Sequence, residues 1–124
     1  AGLRINPDLP RPLILLNPDL HTFSDKTDSR EEGCLSFPGL YTDVHRPKGV
    51  AVQFESPDHE GLQSLRNDKL LARIIQHEVD HLDGVLFIDH LSALDRWMLG
   101  PRLLVIMMRR LLAGQMTEAR NVPL

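Results

Sequence analysis

Nine residues, Gln76-His77-Glu78-Val79-Asp80-His81-Leu82-Asp83-Gly84, constrain this chain more than any other stretch. They read as the end of a helix running from about Lys69 to Leu82, with Asn67 or Asp68 as its cap. Gly84 suits the stop, since glycine takes the left-handed conformation at little cost. Residues four apart on a helix stand about 5–6 Å apart at Cβ. His77 and His81 can therefore hold one metal ion without rearranging the backbone. Glu78 projects from a neighbouring face, where it can take a proton from water beside that ion without being a ligand. Leu70 and Ile74 share the histidine face, which is therefore expected to turn inward. A helix with two solvated histidines is the competing reading, and it fits that apolar company poorly.

Two histidines leave a tetrahedral site short of a ligand, because catalytic metals usually keep three protein donors and one open position. The candidates are Cys34, His21, His45, His59, His90 and several carboxylates. Cys34 is the best of them: Gly33 before it permits close backbone approach, and apolar Leu35 follows in a segment expected to pack. Bound to a metal it is a thiolate and lends one negative charge. The alternative for a lone cysteine is a small buried hydrophobe. With one cysteine in 124 residues, an internal disulfide is excluded.

The length suits one domain over residues 1–124 with a single core. A net charge of −3 shows no general nucleic-acid footprint, so no direct nucleic-acid binding is expected. No run approaches a membrane span and no charged n-region precedes an apolar stretch, so neither membrane nor secretion is expected. Residues 1–11 look like the end of a strand entering a turn. Pro12 to Leu16, closed by Asn17-Pro18, suits a buried strand, and polar Asp25 to Glu32 reads as a solvated loop. A polar-rich stretch runs from Phe37-Pro38-Gly39 to Pro47. Val50, Val52 and Phe54 alternate as in a half-buried strand, and Leu62 to Arg66 can return as the second arm of a hairpin.

Beyond the histidine helix, Val85 to Ile88 is a short link and Ser92 can cap a last helical region, with Gly100-Pro101 as a break. The segment that follows, to about Ala113, is rich in Leu103, Leu104, Ile106, Met107, Leu111 and Leu112. It reads first as a core-facing helix and second as a helix for a partner or membrane surface. Residues 114–124 look frayed. Arg102, Arg109 and Arg110 are a weak hint of acidic partners.

Glu32-Gly33-Cys34-Leu35-Ser36 together with Gln76-His77-Glu78-Val79-Asp80-His81 resembles the second and third signature motifs of peptide deformylase. The likeness runs from about Pro12 to Ser92, through Phe37-Pro38-Gly39, His45-Arg46-Pro47 and Asp68 to Ile75. Both motifs in order, on a loop and a helix, make a specific match. Zincin peptidases share the two-histidine helix, but nothing here resembles their later ligand motifs.

That resemblance implies an α+β fold, with antiparallel strands packed around the metal-bearing helix and a C-terminal helix. It implies a hydrolase that removes the N-formyl group from the initiator methionine of new proteins, in a bacterial-type cytoplasm or an organelle, with a formyl-Met peptide or nascent chain as substrate and the ribosome nearby. One divalent metal is implied, Fe2+ in the cell, with Zn2+, Ni2+ or Co2+ in a purified sample. On the matching positions, Cys34, His77 and His81 would hold the metal, Glu78 would be general base and acid, and Leu35 would offer its backbone N–H to the formyl oxygen. Gly33, Leu70, Arg73 and Ile74 would border the substrate, the aliphatic part of Arg73 forming one wall of a methionine pocket. Arg46 would pair with Glu32 and buttress the cysteine loop.

The family's first motif, a glycine-alanine segment ending in a glutamine, has no counterpart here; Ala1-Gly2-Leu3-Arg4-Ile5 resembles what would follow it. The chain is thus expected to lack that motif and the helix before it. The alternative function is a diverged or truncated metal-binding module with little or no catalysis. A structural site normally has four protein ligands, and three convincing ones favour catalysis.

Overall fold

Val50, Val52 and Phe54 all turn to the core, as their alternation requires. In the computed structural model, which describes residues 12–120, they lie on a strand, β4 (Val50–Ser56), in the middle of an antiparallel sheet. Its neighbours are β1 (Leu16–Phe23) and β5 (His59–Asn67), in the order β1-β4-β5. Ser56 pairs with His59, so Pro57-Asp58 forms the tight turn of the expected hairpin. The expectations for residues 1–11 and 121–124 lie outside the described residues.

β1 departs from the expected strand at Pro12 to Leu16. It begins where that strand was to end and runs through Asn17-Pro18. The register slips between Leu16 and Asp19, and Asn17 takes a φ of +48°. A bulge on an edge strand thus absorbs a proline that a central strand could not.

The polar run at Asp25 to Glu32 is also a strand for most of its length, not a loop. β2 (Thr27–Cys34) pairs antiparallel with β3 (Phe37–Pro47) in a separate two-stranded sheet. Asp28 and Glu32 are on the same side of β2, and arginines from other elements meet them. The inward face of β2 is therefore ionic, and no apolar alternation announces it. Between Gly33↔Tyr41 and Cys34↔Phe37 the register shifts, which leaves Pro38, Gly39 and Leu40 as extra residues on β3. Gly39, at φ +77°, takes the left-handed turn this needs.

The histidine helix, α1 (Leu70–Leu82), joins the two sheets. Lys69 is its N-cap residue, not Asn67 or Asp68. Asn67 Oδ1 nevertheless accepts from the N–H groups of Lys69 (2.9 Å) and Ala72 (3.1 Å), and so satisfies a first-turn donor from two residues upstream of the cap. Gly84 ends it at φ +74°. One flank, Leu71, Ile75 and Val79, packs on Val52 and Phe54, with Leu15, Leu20 and Leu65 at the margin. The other flank faces the β2–β3 hairpin, where Gln76 Nε2 donates to the Pro47 carbonyl at 2.9 Å. A second apolar cluster, Leu40, Val44 and Phe87, is closed by Leu99, Leu103 and Ile106. The last three belong to α2 (Ala93–Arg120), which follows a short 3-10 helix at Phe87–His90.

Ser92 Oγ accepts from the Asp95 N–H at 3.1 Å and so caps α2. The helix does not break at Gly100-Pro101, and it extends past residue 114, where fraying was expected. Proline there removes one backbone hydrogen bond and crowds the carbonyl of Trp97, at about 3 kcal/mol. Leu99, Leu103 and Ile106, anchored on both sides of it, offset that cost. The expectation of a core-facing segment holds for Leu103 and Ile106 alone. Leu104, Met107, Leu111 and Leu112 are exposed. The two antiparallel sheets and two α-helices make this an α+β fold.

Candidate metal centre

Cys34 is the last residue of β2, and the β2–β3 turn aims its sulfur at α1. Sγ lies 3.2 Å from His81 Nε2, which in turn lies 3.2 Å from His77 Nε2. The three donor atoms fall within 4.8 Å of one another, and among the described residues no other such group of three or more occurs. His21, His45, His59 and His90 are not part of it. Three protein donors, one of them a thiolate, suit a divalent ion and leave a position for solvent or substrate.

Glu32, buried at 7% exposure, supports the centre from behind. Its Oε2 lies 3.1 Å from His77 Nδ1. A carboxylate can only accept, so in the neutral ring that nitrogen carries the proton and Nε2 keeps its lone pair for a cation. Arg46 grips both carboxylate oxygens, at 2.7 and 3.0 Å. Arg73 Nη1 reaches Oε1 at 2.7 Å. Burial pushes the Glu32 carboxyl up, but hydrogen bonds from His77, Arg46 and Arg73 outweigh it and hold the group down at about 2. The Glu32 carboxylate in turn raises His77 to about 8 against the opposing effect of burial. Burial also pushes the Cys34 thiol up, yet the Ser36 N–H, 3.4 Å from Sγ, and His77 bring it below its ordinary range.

The centre opens into a cleft of about 800 Å³ lined by Gly33, Leu35, Leu70, Ile74 and Glu78 among others. Leu70 and Ile74 do not turn into the core as their apolar character suggested; they face this cleft, 54% and 40% exposed. Leu35 stands 75% exposed at its rim. Gly33 lies under the Tyr41 ring, which a Cβ there would meet at 2.5 Å and have to push aside. Arg73 lines the cleft as well, but its guanidinium points away into the ionic cluster, bonding Glu32, the Val44 carbonyl and Asp28.

Three members of that cluster escaped the reading of the sequence. Asp80 accepts from Arg46 Nη1 at 2.7 Å and meets His90 Nε2 at 2.7 Å. Asp28 receives Arg73 Nη2 at 2.6 Å. For Asp80 a signal existed, because it lies three after His77 and shares its side of the helix. For Asp28 and His90 nothing local betrays the contact.

Antiparallel strands around a helix that carries a Cys-His-His centre define a class of α+β metal-site protein, and known proteins narrow the class. The polypeptide deformylase family model matches residues 4–97, so the chain belongs to that family. It is 46% identical over 86 residues to the peptide deformylase of Bartonella quintana, covering 68% of this chain and 48% of that protein. To the Agrobacterium fabrum peptide deformylase it is 47% identical over 85 residues, with 68% and 49% covered. Its fold is similar to Arabidopsis thaliana peptide deformylase 1B in complex with an inhibitor, at a TM-score of 0.72 and 38% identity over 77% of this chain and 52% of that one. It is also similar to a Plasmodium falciparum peptide deformylase, at a TM-score of 0.70 and 33% identity, with 76% and 60% covered. The chain spans about half the length of the curated relatives it matches. The family implies a divalent metal, and the donor set of Cys34, His77 and His81 fits one.

Proposed function

We propose that residues 1–124 form a deformylase domain that hydrolyses the N-formyl group from the initiator methionine of new proteins, yielding formate and a free amine. The observation that carries this reading is the convergence of Cys34, His77 and His81 at a cleft that Glu78 also lines. Those three would hold Fe2+ in the cell, or Zn2+, Ni2+ or Co2+ after purification. When bound, such an ion supplies Lewis acidity, which makes water a nucleophile near neutral pH and polarises a carbonyl.

The chain's own groups do the rest. Glu78, exposed on the cleft side of α1, takes the proton of the attacking water and delivers it to the departing nitrogen. The Leu35 backbone N–H would donate to the formyl oxygen, where negative charge develops. Leu70, Ile74 and the aliphatic stem of Arg73 border the methionine side chain, while Gly33 leaves its backbone open to the peptide. Glu32 and Arg46 keep His77 and the cysteine strand in place. The substrate is a formyl-Met peptide or a nascent chain beside the ribosome, in a bacterial-type cytoplasm.

The test is formate release from a formyl-Met tripeptide by protein reloaded with Fe2+ under anaerobic conditions. Stoichiometric iron with no formate would reduce the chain to a metal-binding module.

A further inference from the structure

Helix α2 has two apolar faces, and the fold covers one. Leu99, Leu103 and Ile106 lie on the inner cluster. On the opposite side, Leu94, Trp97, Pro101, Leu104, Met108 and Leu111 follow one another at alternating steps of three and four residues. The five of these that are not proline are between 54% and 77% exposed. Met98, Val105 and Leu112 widen the same stripe, at 67%, 48% and 58%. A helix that is apolar on opposite sides is normally buried on both. A patch of this extent is beyond what soluble monomers usually leave in water.

The spacing identifies the kind of partner. An apolar repeat of 3.5 residues, rather than 3.6, keeps one seam in register with a second helix wound against it. The stripe exposes on the order of 900 Å², comparable to the ~800 Å² per partner of a stable interface. The charges on its flank repeat at sevens: Asp95, then Arg102, then Arg109. A parallel pair would set this flank against the opposite flank of the partner, so these charges would not meet. An antiparallel pair runs the Asp95 end of one helix along the Arg109 end of the other, and opposes the two helix dipoles favourably.

We propose that this stripe is a self-association surface: two copies of the chain pair through α2, antiparallel about a two-fold axis between Arg102 and Leu103. Such a contact is isologous, so one patch serves both partners. Trp97 of each copy then packs against Met108 of the other, and Leu94 against Leu111.

Trp97 is the chain's one tryptophan and reports on the contact directly. Sedimentation equilibrium of the metal-loaded full chain, up to about 100 µM, should give twice the mass of one chain, with Trp97 emission shifting to the blue as copies associate. Leu104→Glu and, separately, Leu111→Glu should each restore the single-chain mass and red-shift the emission, with helix content by circular dichroism and bound metal unchanged. Arg109→Asp should weaken association several-fold, by placing acid beside Asp95. A single-chain mass throughout would overturn the proposal, also if that species binds anionic vesicles. So would a dimer indifferent to both glutamates. An unchanged dissociation constant for Arg109→Asp would overturn the antiparallel orientation.

Discussion

His77 Nδ1 lies 3.1 Å from Glu32 Oε2, so the ring that reaches toward the cation site is held from behind by a buried carboxylate. The same carboxylate neutralises Arg46 and Arg73, which are 3% and 7% exposed. Removing it leaves two buried cations without their shared partner. Glu32→Ala is expected to cost about 3–5 kcal/mol of stability, the usual consequence of breaking a buried pair. Glu32→Gln keeps the shape and some hydrogen bonds but loses the charge. It should fold, and bind metal about 10–100-fold more weakly, because the acceptor orienting a metal-binding histidine is gone. Thermal unfolding and chelator competition separate the two effects.

The Glu32–His77 contact also sets a pH window for the metal-free protein. Glu32 drops from an ordinary 4.5 to about 2, so its contribution is complete above about pH 4.5 and is lost as pH falls toward 2. His77 rises from 6.5 to about 8, so its contribution is complete below about pH 6.5 and is lost as pH rises through 8. Metal-free protein should therefore be most stable between about pH 4.5 and 6.5 as far as this pair decides it. A metal on His77 requires the neutral ring, so uptake near pH 7 should release protons, and affinity should climb with pH up to about 8. Calorimetric titration with metal in two buffers of different ionisation enthalpy counts those protons.

Much of this fold was legible because its elements carry apolar periodicity or end signals. β4 announces itself through Val50, Val52 and Phe54, and α1 through Asn67 at its start, its paired histidines and Gly84. The buried flank of α1 is nevertheless Leu71, Ile75 and Val79, and not the expected Leu70 and Ile74. β2 does not, because its inward residues, Asp28 and Glu32, meet arginines rather than a core. At the centre, the i, i+4 spacing of His77 and His81 marks the helix face, and Cys34 stood out as the lone cysteine behind a glycine. The ionic support was half visible. Its Arg46–Glu32 pair came with the motifs, whereas Asp28 and His90 reach the cluster only through tertiary folding. Pro101 misled for a related reason: a local breaker is overridden when the residues around it are anchored by distant ones.

That last case can be measured. Pro101→Ala restores a backbone N–H for the Trp97 carbonyl and removes the clash of the ring. The unfolded chain gains freedom, which takes back part of the benefit. A net stabilisation of about 1–2 kcal/mol is expected, visible as a higher Tm with unchanged metal binding. A lower Tm would mean that α2 needs the proline's geometry to seat Leu99 and Leu103 together.

Glu78 and Cys34 should fail in opposite ways, and the contrast is the sharpest check on the proposed chemistry. Glu78 is exposed and stands at the cleft without belonging to the three-donor cluster. Glu78→Ala should therefore keep the metal and the fold, and lose about 10²–10⁴-fold in kcat for formate release, the worth of a positioned proton carrier. Cys34 supplies one of three donors, and its removal leaves only two imidazoles. Cys34→Ala should lose metal on gel filtration and lose activity with it, while excess metal restores little. Elemental analysis beside the formate assay reads both. A Glu78→Ala protein with full turnover would remove the glutamate from the mechanism, because the other carboxylates lining the cleft, Glu31 and Glu32, belong to β2 and not to the metal-bearing helix.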